Sequence, residues 1–143
     1  MNQAIRAVIE TKIASQLSIP ICFDNVQDSP PNYPYAVCII SYNDVSLPTV
    51  CFTGDAVEQI NGNLQISIFT EKSQGMGQLD LYSQNVFVAM NTMYDPQQDA
   101  KVKCGRINGP VTVFGGTEQD RQVPYTLVTI SCPFTASYTA SVP

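Results

Sequence analysis

Residues 128–139 alternate without a break. Val128, Ile130, Cys132, Phe134, Ala136 and Tyr138 interleave with Thr129, Ser131, Pro133, Thr135, Ser137 and Thr139. Side chains on a strand have a period of two, so this run reads as a long strand with one apolar and one polar face. A chain that contains it must build a sheet and cover one side of that sheet. Pro133 has no N–H for a ladder, which puts the strand at a sheet edge or a bulge at that point.

The remaining elements arrange themselves around it. Leu64, Ile66 and Ile68 alternate with Gln65 and Ser67 as a second half-buried strand. Ala36–Tyr42 is short and apolar on both faces, as a central strand is, and Ile21–Phe23 is a brief strand after Pro20. Lys101–Ile107 and Pro110–Phe114 read as strands joined by a hairpin turn at Asn108-Gly109. Ile5, Val8, Ile9, Ile13 and Leu17 form a helical stripe over residues 2–17. Leu79, Tyr82, Val86, Met90 and Met93 form another over 78–94, stopped by Asp95-Pro96. Between Asn43 and Gly62, pieces of strand at 50–53 and 57–60 flank Gly54 and precede the turn signal Asn61-Gly62, which suggests an extended hairpin arm. Asp24–Tyr35 is a proline-stiffened loop and Gly115–Gln122 a polar one. With no repeat and no linker, residues 1–143 are expected to form one α+β domain. Its sheet should be mostly antiparallel or mixed, with two main helices packed on one face.

Several function classes fall away. Gly75-Met76-Gly77 follows a strand and precedes a helix, the order of a phosphate cradle. It lacks the lysine and hydroxyl of one such motif and the third glycine of the other, where Asp80 stands. Glycines that ease a loop into a helix are the simpler reading. The chain has no histidine, which removes the commonest general base and metal ligand. Its five cysteines form no C-x-x-C pair and read as reduced, half-buried thiols of a chain made inside a cell. Asp24 with Asp28, and Glu118 with Asp120, lie in polar loops where solvated acids are the default. No catalytic residue, cofactor or metal is expected. A net charge of −5 with seven basic residues argues against dedicated nucleic-acid binding. No membrane span or signal peptide is expected, since Arg6 interrupts the apolar pattern of MNQAIRAVIE.

What remains is a chain poor in charge. Its 13% charged residues are about half the roughly 25% typical of soluble domains. Like-charge repulsion keeps proteins apart, so much of this surface is suited to contacts.

The ordered features also resemble a known family. The helix with the Ile5, Ile9, Ile13, Leu17 stripe is followed by IPICFDNVQDSPPNYPYAVCII, with Asn25, Pro30, Pro31 and Pro34. INGNLQISIF, the Gly75-x-Gly77 loop, the helix after it and a final alternating strand complete the series. In this order they are similar to the tail terminator, or tail completion, proteins of long-tailed phages. Members often carry a tryptophan leading into the last strand; this chain has none, and Tyr125 stands in that region.

The resemblance implies a tail-terminator-like fold and a structural virion protein, made in the host cytoplasm and placed in the neck region of the tail. It implies a homo-hexameric ring that caps the tail tube protein, stops its polymerisation and meets the head–tail connector. DNA passes through such a ring without a specific site, and neither membrane nor cofactor takes part. On this reading the arm and the 115–122 loop make the contacts, through Val45, Leu47, Val50, Phe52, Asp55, Glu118, Asp120 and Arg121. A head-completion, neck or tail-tube protein is the alternative within the same class. A small-ligand module using Gly75–Gln78 and Tyr82 is the alternative outside it.

Overall fold

The computed structural model describes residues 2–23, 34–50, 55–71, 76–95, 97, 100–114 and 125–141. Two helices, α1 (Asn2–Gln16) and α2 (Met76–Asn91), cover one face of a six-stranded sheet. The strands are β1 (Ile21–Phe23), β2 (Tyr35–Val50), β3 (Asp55–Glu71), β4 (Ala100–Cys104), β5 (Asn108–Phe114) and β6 (Tyr125–Ser141). Their order is β1-β2-β3-β6-β4, with β5 also on β6. Only β1 on β2 is a parallel pairing, so the sheet is mixed and the fold α+β, as the patterning implies.

Alternation builds the core in rows. Ala36, Ile68 and Val128 stand side by side across β2, β3 and β6, followed by Cys38, Ile66 and Ile130, then Ile40, Leu64 and Cys132. All nine are buried. Ile5, Ile9 and Ile13 of α1 and Leu79, Val86 and Met90 of α2 close over them in a single cluster. Each large aliphatic side chain buried there contributes about 1.5–3 kcal/mol. The helix boundaries differ slightly from the periodicity. α2 starts at Met76 and ends at Asn91, and Thr92 N–H still donates to the Val88 carbonyl (3.0 Å). The Asp95 carboxylate then accepts from Gln97 N–H (2.9 Å), a local bond that turns the chain. Gly77 lies inside the first turn of α2, and a Cβ there would meet nothing within 4 Å. The glycine is not required at that position by packing, while Gly75 lies outside the described residues.

Three expectations about strands need correction. Asn61-Gly62 is no turn: both residues sit mid-strand in β3, which runs for 17 residues. Gly62 stands between Tyr42 on β2 and Phe134 on β6, whose rings meet edge to face at 6.2 Å. A Cβ on Gly62 would fall on the Phe134 ring and the Ser41 carbonyl oxygen. The glycine is there to let two aromatic rings close over the backbone.

Nor is β6 an edge strand. It pairs with β3 along its whole length and with β4 and β5 on its other side. Asn108-Gly109 is likewise no hairpin. β4 and β5 follow one another along β6, pairing with 134–138 and 126–131 respectively. Pro133 falls in the seam between them, and its carbonyl accepts the Gly105 N–H (2.7 Å). N–H and C=O of one strand residue point to the same side, so the N–H that proline lacks is missing where β4 has ended and β5 has not begun. Gly109 adopts a φ of 104°, which only glycine takes without strain.

Two substitutions test this packing. Gly62→Ala should lower unfolding free energy by at least about 2 kcal/mol, because neither the strand backbone nor the ring can retreat. Thr70 Oγ1 is buried with no hydrogen-bond partner among the described residues. Thr70→Val keeps the shape and removes the orphaned hydroxyl, so it should raise stability by about 1 kcal/mol. Urea denaturation measures both.

Candidate interaction surface

The face of the sheet turned away from the helices is built by the other half of each alternating run. β3 supplies Asn61, Asn63, Gln65 and Ser67, and β6 supplies Thr129, Ser131, Thr135 and Ser137. No side chain in this double row is charged. The groups bond among themselves: Ser67 Oγ and Thr129 Oγ1 share a hydrogen bond of 3.2 Å, and Thr135 Oγ1 donates to Asn61 Oδ1 (3.2 Å). Ser41 Oγ donates to the Asn63 carbonyl (3.4 Å). Aliphatic side chains flank the strip, with Ile39 40% and Val111 60% exposed. Tyr35 and Phe69 stack at 4.8 Å near one end. Lys101 and Lys103, opposite Ser137 and Thr135, bring positive charge to the β4 border. The sequence signal for this strip is the neutral alternation of 61–67 and 129–137, the polar complement of the buried rows.

The strands overrun the core at one end. Ile60 is the last core residue of β3 among those described, yet the strand continues to Asp55, about 16 Å further. Residues 43–50 of β2 and 135–141 of β6 run beside it, so the arm is three strands wide at the backbone. Val45 pairs with Ile60, Val50 with Ala56, and Asp55 with Ser141. Leu47 lies in a register shift between Ser46 and Thr49, next to Pro48, and a second shift falls between Tyr42 and Asp44. Bulges and a proline on β2 spoil its free edge as a template for another strand.

Val45 therefore stands at the base of the arm, opposite Ile60, Val50 and Asp55 stand at its tip, and Leu47 lies between. Phe52, Glu118, Asp120 and Arg121 lie outside the described residues. The described residues that flank these segments pair with opposite ends of β3 and β6. Residues 51–54 join Val50 to Asp55, beside Ser141, while 115–124 join Phe114 to Tyr125, beside Glu71. Tyr125 and Ser141 are the two ends of one 17-residue strand, about 53 Å apart along the chain. The structure therefore brings Val45, Leu47, Val50 and Asp55 onto one arm and describes no position for the other four expected contact residues.

The interior offers little chemistry. Among the described residues no three His, Cys, Asp or Glu side chains converge as metal ligands, and no helix is long and apolar enough to cross a membrane. Under α1, Arg6 pairs with Glu10 (3.6 Å) and lies 6.0 Å from the centre of the Tyr42 ring. Burial raises the Tyr42 hydroxyl above its ordinary pKa, against the pull of Arg6. Burial, helped by the Glu10 charge, pushes the Cys38 thiol up to about 12, which leaves it protonated and unreactive.

A groove of about 450 Å³ runs between α1 and the end of α2, walled by Ala4, Ala7, Thr11, Ser15, Thr92 and Asp95 among others. The Ser15 and Thr92 hydroxyls already donate to the carbonyls of Lys12 (2.7 Å) and Val88 (2.6 Å). This groove is remote in sequence from Gly75–Gln78 and does not include Tyr82.

No family model matches the chain, and no curated protein matches it. Chains of solved structures do, 30 in all. One aligns over 95% of this chain and 95% of its own with a TM-score of 0.53 at 15% sequence identity. A likeness at that identity concerns the fold alone.

The Cys38 thiol gives this side of the molecule a pH signature. The folded state holds its proton more tightly than the unfolded chain does. The resulting stability is fully present below the ordinary value of 9.0 and is lost as pH rises toward about 12. Urea unfolding should show a loss of up to about 1.4 kcal/mol per pH unit across that window. Cys38→Ala should start less stable and lose the cysteine's share of the slope.

Proposed function

We propose that this chain is a structural virion subunit: a tail terminator that forms a ring, caps the tail tube and offers a joining surface to the head–tail connector. The observation that carries the reading is the arm, where β2, β3 and β6 run on as a three-stranded ladder past Ile60, the last core residue of β3 among those described. A subunit in a capping ring has to meet the tube on one side and the connector on the other. Such a job asks for two remote surfaces on a rigid body and for no catalytic group. The uncharged polar strip and the charge-poor composition support the same reading, because such surfaces accept neighbours with little electrostatic penalty.

The arm supplies the test. Ser46 and Gln59 are cross-strand partners, so replacing Leu47–Glu58 with Asn-Gly closes the hairpin with a two-residue turn. The variant should keep a cooperative unfolding transition, since it removes no residue of the described core. In the phage that encodes the chain it should yield tails of uncontrolled length that fail to join heads. Tails of normal, uniform length on normal particles would overturn the proposal. Full heads lacking tails, with tail length unaffected, would assign the chain to the neck instead.

A further inference from the structure

The outward face of α2 carries an apolar ridge. Among the described residues five large hydrophobic side chains are exposed, and three of them, Leu81, Val88 and Tyr94, lie on α2 or just beyond its end. Leu81 is 55% and Val88 42% exposed. They stand seven residues apart, about 10.5 Å along the axis, so both project from the same side of the helix. Gln84 between them and Asn91 after them are exposed and uncharged. Asp80, next to Leu81, is the only charged residue of α2. Single exposed aliphatics need no explanation, but a heptad pair on a helix with one charge is a surface made for packing.

α1 offers the complement. Its wall of the 450 Å³ groove is built mainly from short side chains. Ala4, Ala7, Val8 and Thr11 are spaced i, i+3, i+4 and i+7, the four corners of the hole into which a knob from a second helix fits. Two turns on, Thr11, Ala14 and Ser15 repeat three corners of that figure, and all three are exposed. The two holes are thus one heptad apart, the spacing of Leu81 and Val88.

The charges agree with the shapes. Lys12 lines the groove, and neither Lys12 nor Asp80 has an ion-pair partner in its own chain among the described residues. From this match we infer that α2 of one copy of the chain lays its Leu81–Val88 ridge along α1 of a second copy. Val88 fills the hole at Ala4, Ala7, Val8 and Thr11, and Leu81 the one at Thr11, Ala14 and Ser15. This antiparallel sense leaves Asp80 about 5 Å along the axis from the neighbour's Lys12, whereas the parallel sense leaves about 8 Å. The pair sets direction more than strength.

Ridge and groove are different patches of one chain, so each copy has one of each to offer. A contact of that kind repeats from copy to copy until the rotation closes. The inference rests on the reading that copies of this chain assemble, and it adds where they touch.

Sedimentation velocity on the purified chain over a range of concentrations tests it. The unaltered chain should associate. Leu81→Asp and Val88→Asp put a charge on the ridge and change no residue of the buried cluster. Each should weaken association at least about tenfold while urea unfolding stays cooperative. Asp80→Lys and Lys12→Asp should each weaken it as well. The double variant should recover much of the loss, because it restores the pair with its signs exchanged. A chain that stays monomeric throughout would overturn the inference, and the capping reading would then stand or fall by the shortened-arm variant. An oligomer that the ridge and charge variants leave intact would overturn the inference alone, since the copies would then meet elsewhere.

Discussion

The closure of Tyr42 and Phe134 over Gly62 is the contact on which the rest of the sheet depends. These rings belong to β2 and β6, which never pair with each other; β3 lies between them. They can meet only because the residue beneath them has no side chain. Arg6 of α1 then lies over Tyr42, and Glu10 one turn later holds Arg6. One missing Cβ thereby links three strands and the first helix. Register follows from it as well. A shift of one residue would carry Gly62 away from the rings and every core residue of β3 to the wrong face.

That contact also marks how far the sequence could be read. Alternation at 128–139 and 64–68 and the stripes at Ile5–Leu17 and Leu79–Met93 disclose which faces are buried, because burial acts on each side chain through its local period. They therefore disclose the fold class. They do not disclose where a strand stops. Asn-Gly favours a tight turn when the chain is free to reverse, but glycine is equally suited to lie beneath an aromatic ring. The choice at Gly62 is made by Tyr42 and Phe134, 20 and 72 positions away. Asn108-Gly109 was misleading for a related reason: the positive φ is real, but it lets the chain continue along β6 rather than fold back. At Pro133 the missing donor was real, but the edge or bulge expected from it is not there, since β6 pairs with β3 without a shift and with β4 and β5 on its other side. The break lies instead in the seam between β4 and β5. At Gly77 a helix tolerates the glycine, and a Cβ there would meet nothing within 4 Å.

The candidate contact residues were legible to a lesser degree. Val45, Leu47, Val50 and Asp55 belong together because β2 and β3 extend as a ladder, and that extension is a backbone property with a weak sequence signal. The neutral strip of Asn61–Ser67 and Thr129–Ser137 was visible in the sequence but carries no motif. Its meaning depends on β3 and β6 being adjacent, which brings two polar half-rows into one surface.

The free edge of β2 limits how another copy or a partner could join the molecule. Beyond its three-residue pairing with β1, β2 has no further strand on that side among the described residues. A smooth edge of that length would invite strand addition. Here the register slips between Tyr42 and Asp44 and again between Ser46 and Thr49, and Pro48 removes a donor within the second slip. Each slip disturbs the regular spacing of N–H and C=O groups that an added strand would need. Extension of the sheet by strand addition is therefore disfavoured along this edge. Side-chain contacts can be confined to a fixed number of neighbours, whereas strand addition tends to propagate. On the reading proposed above, an arm built this way suits a closed ring better than an open filament.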